Sequence, residues 1–149
     1  MSEINSDNTT NLLTEIPAIK LYSVKEITLA TFFGGILAGG YLMAENFKAV
    51  NNTEKATITW VFTFFLIALL VISLFIPALD KIPAIVYSAF FTILAGSSAR
   101  KYQAGFIEDH INAGGSYHAT GRVVVITIIS VLIILSLALG AWLMMDAYK

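Results

Sequence analysis

The 149-residue chain contains no cysteine, three prolines and few charges, with Asp, Glu, Lys and Arg making up 13% of it, about half the usual quarter. Without cysteine there can be no disulfide, no thiolate metal site, no Cys nucleophile and no lipid anchored on sulfur. Nine Lys and Arg against ten Asp and Glu give no basic footprint, and no run of five like charges forms a tail, so nucleic acid is excluded as a partner. Apolar side chains, in contrast, make up 57% of the sequence, where soluble domains hold about half. A soluble globule would scatter its charges over its surface. Here they gather in short connections between long charge-free stretches, so the composition implies a lipid bilayer as the surrounding medium.

Four stretches lack any charged residue: Ile27 to Ala44, Ala56 to Leu79, Ile82 to Ala99 and Val123 to Met145, of 18, 24, 18 and 23 residues. A hydrocarbon core of about 30 Å takes about 20 helical residues. None of the four alternates polar with apolar residues, so they read as helices rather than barrel strands. The expected architecture is an all-α membrane protein, a four-transmembrane-helix bundle with spans of about 24–48, 56–79, 82–101 and 122–145. A polar, disordered tail over 1–22 precedes the transmembrane domain of 23–149. That tail lacks the basic start of a cleavable signal peptide.

Ser23 followed by Glu26 is a capping box and marks the start of the first helix. Asp80 ahead of Pro83 places an acceptor at the cap of the third, and Pro77 closes the second, so a four-residue turn over 78–81 would make spans two and three antiparallel neighbours. Thr120 or Gly121 would cap the fourth. The triplets at Asn8 and Asn51 match the glycosylation pattern, which short sequences meet by chance. With four crossings, five Lys and Arg lie on one side and four on the other. So even a split barely orients the chain, leaning toward both termini outside.

The most specific feature is a stripe of small residues. Ala30, Gly34 and Ala38 recur at spacing four, as do Thr31, Gly35 and Gly39, and Ala84, Ser88, Thr92 and Gly96 give the third span a matching face. Spacing of four stacks residues on one helix face, and small side chains there let two backbones approach in lipid. Spans one and three are therefore expected to pack together, with bulky spans two and four facing lipid. Alternatives are a broken helix lining a substrate site and a self-association face. A phosphate loop is rejected, since Tyr41 and Leu42 stand where Lys and Ser or Thr would be needed. Phe32, Phe33, Ile36, Leu37, Ala38 and Gly39 recur as Phe90, Phe91, Ile93, Leu94, Ala95 and Gly96 with one residue dropped. That match raises the possibility of two tandem helical hairpins.

No Asp, Glu, Lys, Arg or His lies centrally in any span, which argues against ion-coupled transport and intramembrane proteolysis. The loop from Arg100 to Arg122 carries Glu108, Asp109, His110 and His118, but without a metal-ligand spacing. No metal, cofactor or catalytic residue is assigned. Tyr102, Phe106 and His110 at spacing four extend span three along the interface, ending before Gly114. With His118 they form the candidate partner-facing surface.

Leu21, Tyr22 and Ser23, then Ala30, Thr31, Phe32 and Gly34, then Leu37, Ala38, Gly39, Gly40 and Asn46 resemble a first-span pattern of small bacterial integral membrane proteins to which no activity is assigned. The resemblance covers about 26 residues. It implies a bacterial inner membrane and transfers no site residue. The expected function is that of a non-enzymatic multi-pass membrane protein, a scaffold, accessory subunit or protective factor, acting on a membrane-protein partner or by self-association. The alternative is a passive channel or small-solute transporter, followed by an enzyme acting on lipid through the 100–122 loop.

Overall fold

The computed structural model describes residues 19–79 and 81–147. Most of the tail over 1–22, the Asn8 triplet, Asp80 as a cap and Lys149 lie outside the described residues. The chain is mostly helical. In order it forms β1 (Lys20–Leu21), α1 (Val24–Ala49), α2 (Thr53–Ser73), a 3-10 turn (Pro77–Leu79), α3 (Ala84–Tyr102), α4 (Ala104–Asn112), β2 (Ser116–Tyr117) and α5 (Thr120–Ala147). By length and composition three helices could cross a membrane: α1, α2 and, over Thr120–Met144, α5.

The first of these does not use its length in that way. The capping box forms as expected, with Glu26 N–H donating to Ser23 Oγ and Ser23 N–H to Glu26 Oε2. Twelve residues after Ser23, Gly35 adopts φ 70°, ψ −172°, a conformation open essentially to glycine alone, and the helix folds back on itself. A continuous helix would hold residues 22 and 46 more than about 30 Å apart at 1.5 Å per residue. Instead Tyr22 N–H donates to Asn46 Oδ1 at 2.7 Å. Thr31 likewise meets Gly39, eight residues on and about 12 Å away in a straight helix. The expected span of 24–48 is therefore a helical hairpin with limbs over 24–34 and 36–49, both of whose bases lie at the same end of the molecule.

This base end also receives the start of α2, the end of α3, the whole of α4, the β1–β2 pair and the start of α5. Asn51 (φ 57°) turns the chain there, and Asn52 caps α2 by accepting Lys55 N–H, which gives the Asn51 triplet a structural role. The other three long helices surround the hairpin and touch one another little. The first limb lies on α3 and α5, and the second on α2 and α3. Buried contacts gather in two clusters. One joins Tyr22, Ile27, Ala38, Leu42, Ala99 and Val123 near the base, and the other joins Ile36, Leu66, Ile67 and Phe91 near the tip.

Several expectations need correcting. Of the residues placed in the disordered tail, Lys20–Leu21 form a strand and Leu21 and Tyr22 are fully buried, because the strand pairs with β2 and the Tyr22 backbone with Asn46. Helix α2 ends at Ser73, four residues before Pro77, and α3 starts at Ala84 with Pro83 at its cap. The connection is thus longer than 78–81, and α2 and α3 are held apart by the hairpin rather than packed as neighbours. The tandem-hairpin idea also falls. Residues 24–49 fold back whereas α3 is straight, and the residue dropped between the two matching stretches sits beside Thr92, where α1 has the Gly34–Gly35 pair that makes the reversal.

Candidate functional site

Small residues in α1 do pack, but between the two limbs and against three different helices. A Cβ added at Gly39 would run into Thr31 Oγ1, and one at Gly40 into Thr63 Oγ1 of α2. At Gly34 it would come within 2.8 Å of Ala38 Cβ and 3.1 Å of Thr127 Cγ2 on α5. A Cβ added at Gly96 of α3 would lie 3.1 Å from the Thr28 hydroxyl oxygen. Ala30 and Ala38 are buried in the base cluster. Gly35 and Ala84 depart from the expected packing face. A Cβ at Gly35 would touch nothing, so this residue is needed for its φ alone, and Ala84 is exposed at the start of α3.

Reversal at Gly35 frees backbone groups among apolar side chains at the tip of the hairpin, where in lipid an unpaired carbonyl is costly. Phe32 O would have bonded the N–H of residue 36 in a continued helix. Its replacement donor is the Ser88 hydroxyl of α3, at 2.6 Å. Thr92, placed on the same face by spacing, donates to Ser88 O. Thr28, Thr31, Thr63, Thr127 and Ser130 each donate to a carbonyl of their own helix.

At the base end a buried amide pair ties four segments together. Asn46 accepts Tyr22 N–H through Oδ1 (2.7 Å) and donates through Nδ2 to Tyr22 O (2.8 Å) and Gln103 Oε1 (3.0 Å). Gln103 Nε2 donates to Met43 O at 2.9 Å. Both side chains are essentially inaccessible. The Tyr22 N–H needs an acceptor and its carbonyl a donor, so only one orientation of the Asn46 amide satisfies both. Asn46 is the last residue of the first-span pattern, whereas nothing in the sequence singles out Gln103. It follows Arg100 and Lys101 with no capping or periodic signature, and only the fold-back of α1 gives it a partner.

The candidate surface of the 100–122 loop divides. Phe106 packs its ring 5.9 Å from Phe47, and Ile107 beside it is buried, so α4 covers the base of the hairpin. Gly114 (φ 88°) follows α4 in the left-handed conformation that ends a helix. His110 Nε2–H donates to Ile19 O at 2.9 Å. His118 donates its N–H to Leu21 O and lays its ring 4.3 Å from that of Tyr22. Tyr102 stays exposed, with Lys101 Nζ 5.3 Å from its ring. Both histidines thus hold the β1 segment, and among the described residues no three His, Asp or Glu converge.

Around Tyr22 the electrostatics are unusual. Its hydroxyl is buried without a hydrogen-bond partner among the described residues. Burial pushes the phenol above its ordinary 10, opposed by Arg122, whose guanidinium lies 5.9 Å from the ring. His118 is held below 6.5 by burial first and then by Arg122 and Lys20, with Glu26 and Glu45 opposing. A histidine with a lowered native pKa takes up its proton more readily when unfolded. Stability is therefore unaffected above the unfolded pKa of about 6.5 and falls as pH drops below it. Thermal unfolding in detergent should show a lower midpoint at pH 5.5 than at 7.5, and His118→Gln should shrink the difference. An equal pH response in that variant would place the effect elsewhere.

Comparison with known proteins finds no matching family model, no matching curated protein and no matching solved structure.

Proposed function

We propose that the chain is a multi-pass protein of the bacterial inner membrane that crosses three times, through α2, α3 and α5, while α1 enters and leaves by the same face. The limbs of α1 are about 16 and 21 Å long at 1.5 Å per residue, short of a core of about 30 Å. The crossing helices have 21, 19 and 28 residues; α2 and α5 are apolar enough to span by composition, whereas α3 is not among the helices that meet that measure and is included because it packs along the hairpin from Ser88 to Gly96. Folding back α1 also changes the charge count. Lys20, Lys25, Lys48, Lys55, Arg100, Lys101 and Arg122 now share the base end, against Lys81 and, by the count of crossings, Lys149, seven to two. The even split of a four-crossing chain becomes a strong bias, which favours a cytoplasmic base end and places the end of α5 outside.

Within that frame the function is non-enzymatic and works through protein contacts, as a scaffold, accessory subunit or protective factor. One observation carries this reading: the centre of the helix cluster is filled by a hairpin, and its freed carbonyl, its Thr31 hydroxyl and the Ser88 and Thr92 hydroxyls of α3 are bonded within the chain, so they are not arrayed along a path. The ordered polar surface is the base-end cap, where Glu108 and Asp109 of α4 are exposed. The break at Gly35 favours the second reading, a passive channel, since re-entrant backbone often lines a permeation route. Two measurements separate them. Liposomes bearing the purified chain should leak small neutral solutes no faster than empty ones. A partner cross-linked in native membranes should be lost when Glu108 and Asp109 are replaced by Lys. Solute leak that scales with protein, together with a lone monomer in native membranes, would overturn the proposal in favour of the channel.

A further inference from the structure

Because the second limb of α1 holds α2 and α3 apart, a groove of about 470 Å³ runs between them, within the roughly 300–1,000 Å³ of small-molecule sites. Its floor is deep because Gly40 and Ala95 are small, and its walls are Ile58 and Phe62 of α2 and Leu94 of α3. Ile58 and Phe62 are exposed, so the groove opens sideways, toward the medium that surrounds the helices. Inside the groove the hydroxyls of Thr59 and Thr63 donate to carbonyls of their own helix and Ser98 adds a third, while the charged end is the base-end mouth, where Lys55 and Tyr102 stand. Lys55 Nζ lies 5.9 Å from the Phe47 ring and makes no ion pair among the described residues. The Lys101 ammonium, over the Tyr102 ring, is a second cation at the same mouth. Glu54 precedes Lys55 in the first turn of α2 and is the acid to be weighed against them.

The geometry points to a binding site for one anionic phospholipid of the base-end leaflet. One acyl chain fills the groove, and the phosphate-bearing headgroup lies between Lys55 and Lys101. Charge complementarity selects this occupant over a neutral lipid, since an apolar slot alone would accept any chain. A second groove of about 300 Å³ lies nearer the far end between the same two helices and is lined by Leu66, Leu69, Val86 and Phe90 among others. Among the described residues no Lys or Arg lines it, and the single Lys81 next to its Ile82 gives one cation against the two at the base-end mouth, so it serves as an internal control of weaker headgroup preference. The inference rests on the three-crossing reading only in placing the base end at a membrane face, and orientation does not enter.

The test offers the full chain in mild detergent an equimolar mixture of phosphatidylglycerol and phosphatidylcholine and counts bound lipids by native mass spectrometry. Phosphatidylglycerol should be preferred, with each lysine worth about fivefold at low salt, and the preference should shrink as salt screens the mouth. Lys55→Gln with Lys101→Gln should bring the ratio near one at an unchanged unfolding midpoint. Lys55→Arg should retain it, and Lys81→Gln should change it little. No preference in the parent, the same preference in the double variant, or equal competition by glycerol 3-phosphate, which lacks acyl chains, would overturn the site. Labelling that put residues 25, 48 and 81 all on one membrane face, with lipid selectivity intact, would instead overturn the three-crossing reading and leave the fold-back and the lipid site standing.

Discussion

Replacing Asn46 by Leu is expected to be among the most destabilising single substitutions in the chain. The side chain is 1% exposed and makes three hydrogen bonds. Removing it strands Tyr22 N–H, Tyr22 O and Gln103 Oε1 in the interior, at about 1–3 kcal/mol for each buried group left unpaired. Gln103→Leu should cost less, because it leaves one Asn46 N–H without a partner, while Met43 O keeps the N–H of its own helix. The double variant should cost less than the two losses added together, since the bond between the two amides is counted in both. Unfolding by titrated denaturing detergent, read by circular dichroism, gives all three values. If Asn46 merely ended a membrane span, the loss would be no larger than that of an exposed cap and would not couple to Gln103.

Gly39→Ala is the second large effect, and its sign separates two structures. In a straight helix, alanine is favoured over glycine by about 1 kcal/mol, so the substitution would stabilise. In the hairpin, the new methyl meets the Thr31 hydroxyl on the facing limb, and forcing extra volume into such a contact costs about 1–3 kcal/mol. Thr31→Ala combined with Gly39→Ala should recover part of that loss, because it removes Oγ1 while leaving the Thr31 Cβ at 3.2 Å. Gly39→Leu should prevent the limbs from closing. Gly35→Ala has room for its methyl but must hold φ near 70°, at a strain cost of about 1–3 kcal/mol.

Local features were legible in the sequence, and the reversal was not. The Ser23–Glu26 box, the start of α1 and the left-handed Gly114 after α4 follow from residues a few positions apart. Hydropathy cannot show whether a charge-free run of 18 residues crosses a membrane or turns inside it, because both forms are apolar throughout. The spacing of four in α1 was read as one face toward another span. In the structure Thr31 and Gly39 are matched instead by their equal distance from Gly35, as Tyr22 and Asn46 nearly are. That symmetry of small residues about a Gly–Gly pair was the available signal. The site residues Asn46 and Gln103 lie 57 positions apart, and no local pattern relates them. The fold-back brings residues 22, 46 and 103 to one end, and the charge bias and the lipid groove follow from it.

The absence of native cysteine permits a direct measurement of that fold-back. Single variants Lys25→Cys, Lys48→Cys and Lys81→Cys, expressed in sealed cells, are treated with a membrane-impermeant maleimide before and after the membrane is opened. The hairpin predicts that residues 25 and 48 react alike, protected until the membrane is opened, while residue 81 reacts from outside at once. A first helix that crossed straight through would pair residue 25 with residue 81 and set both against residue 48, which would contradict the fold described.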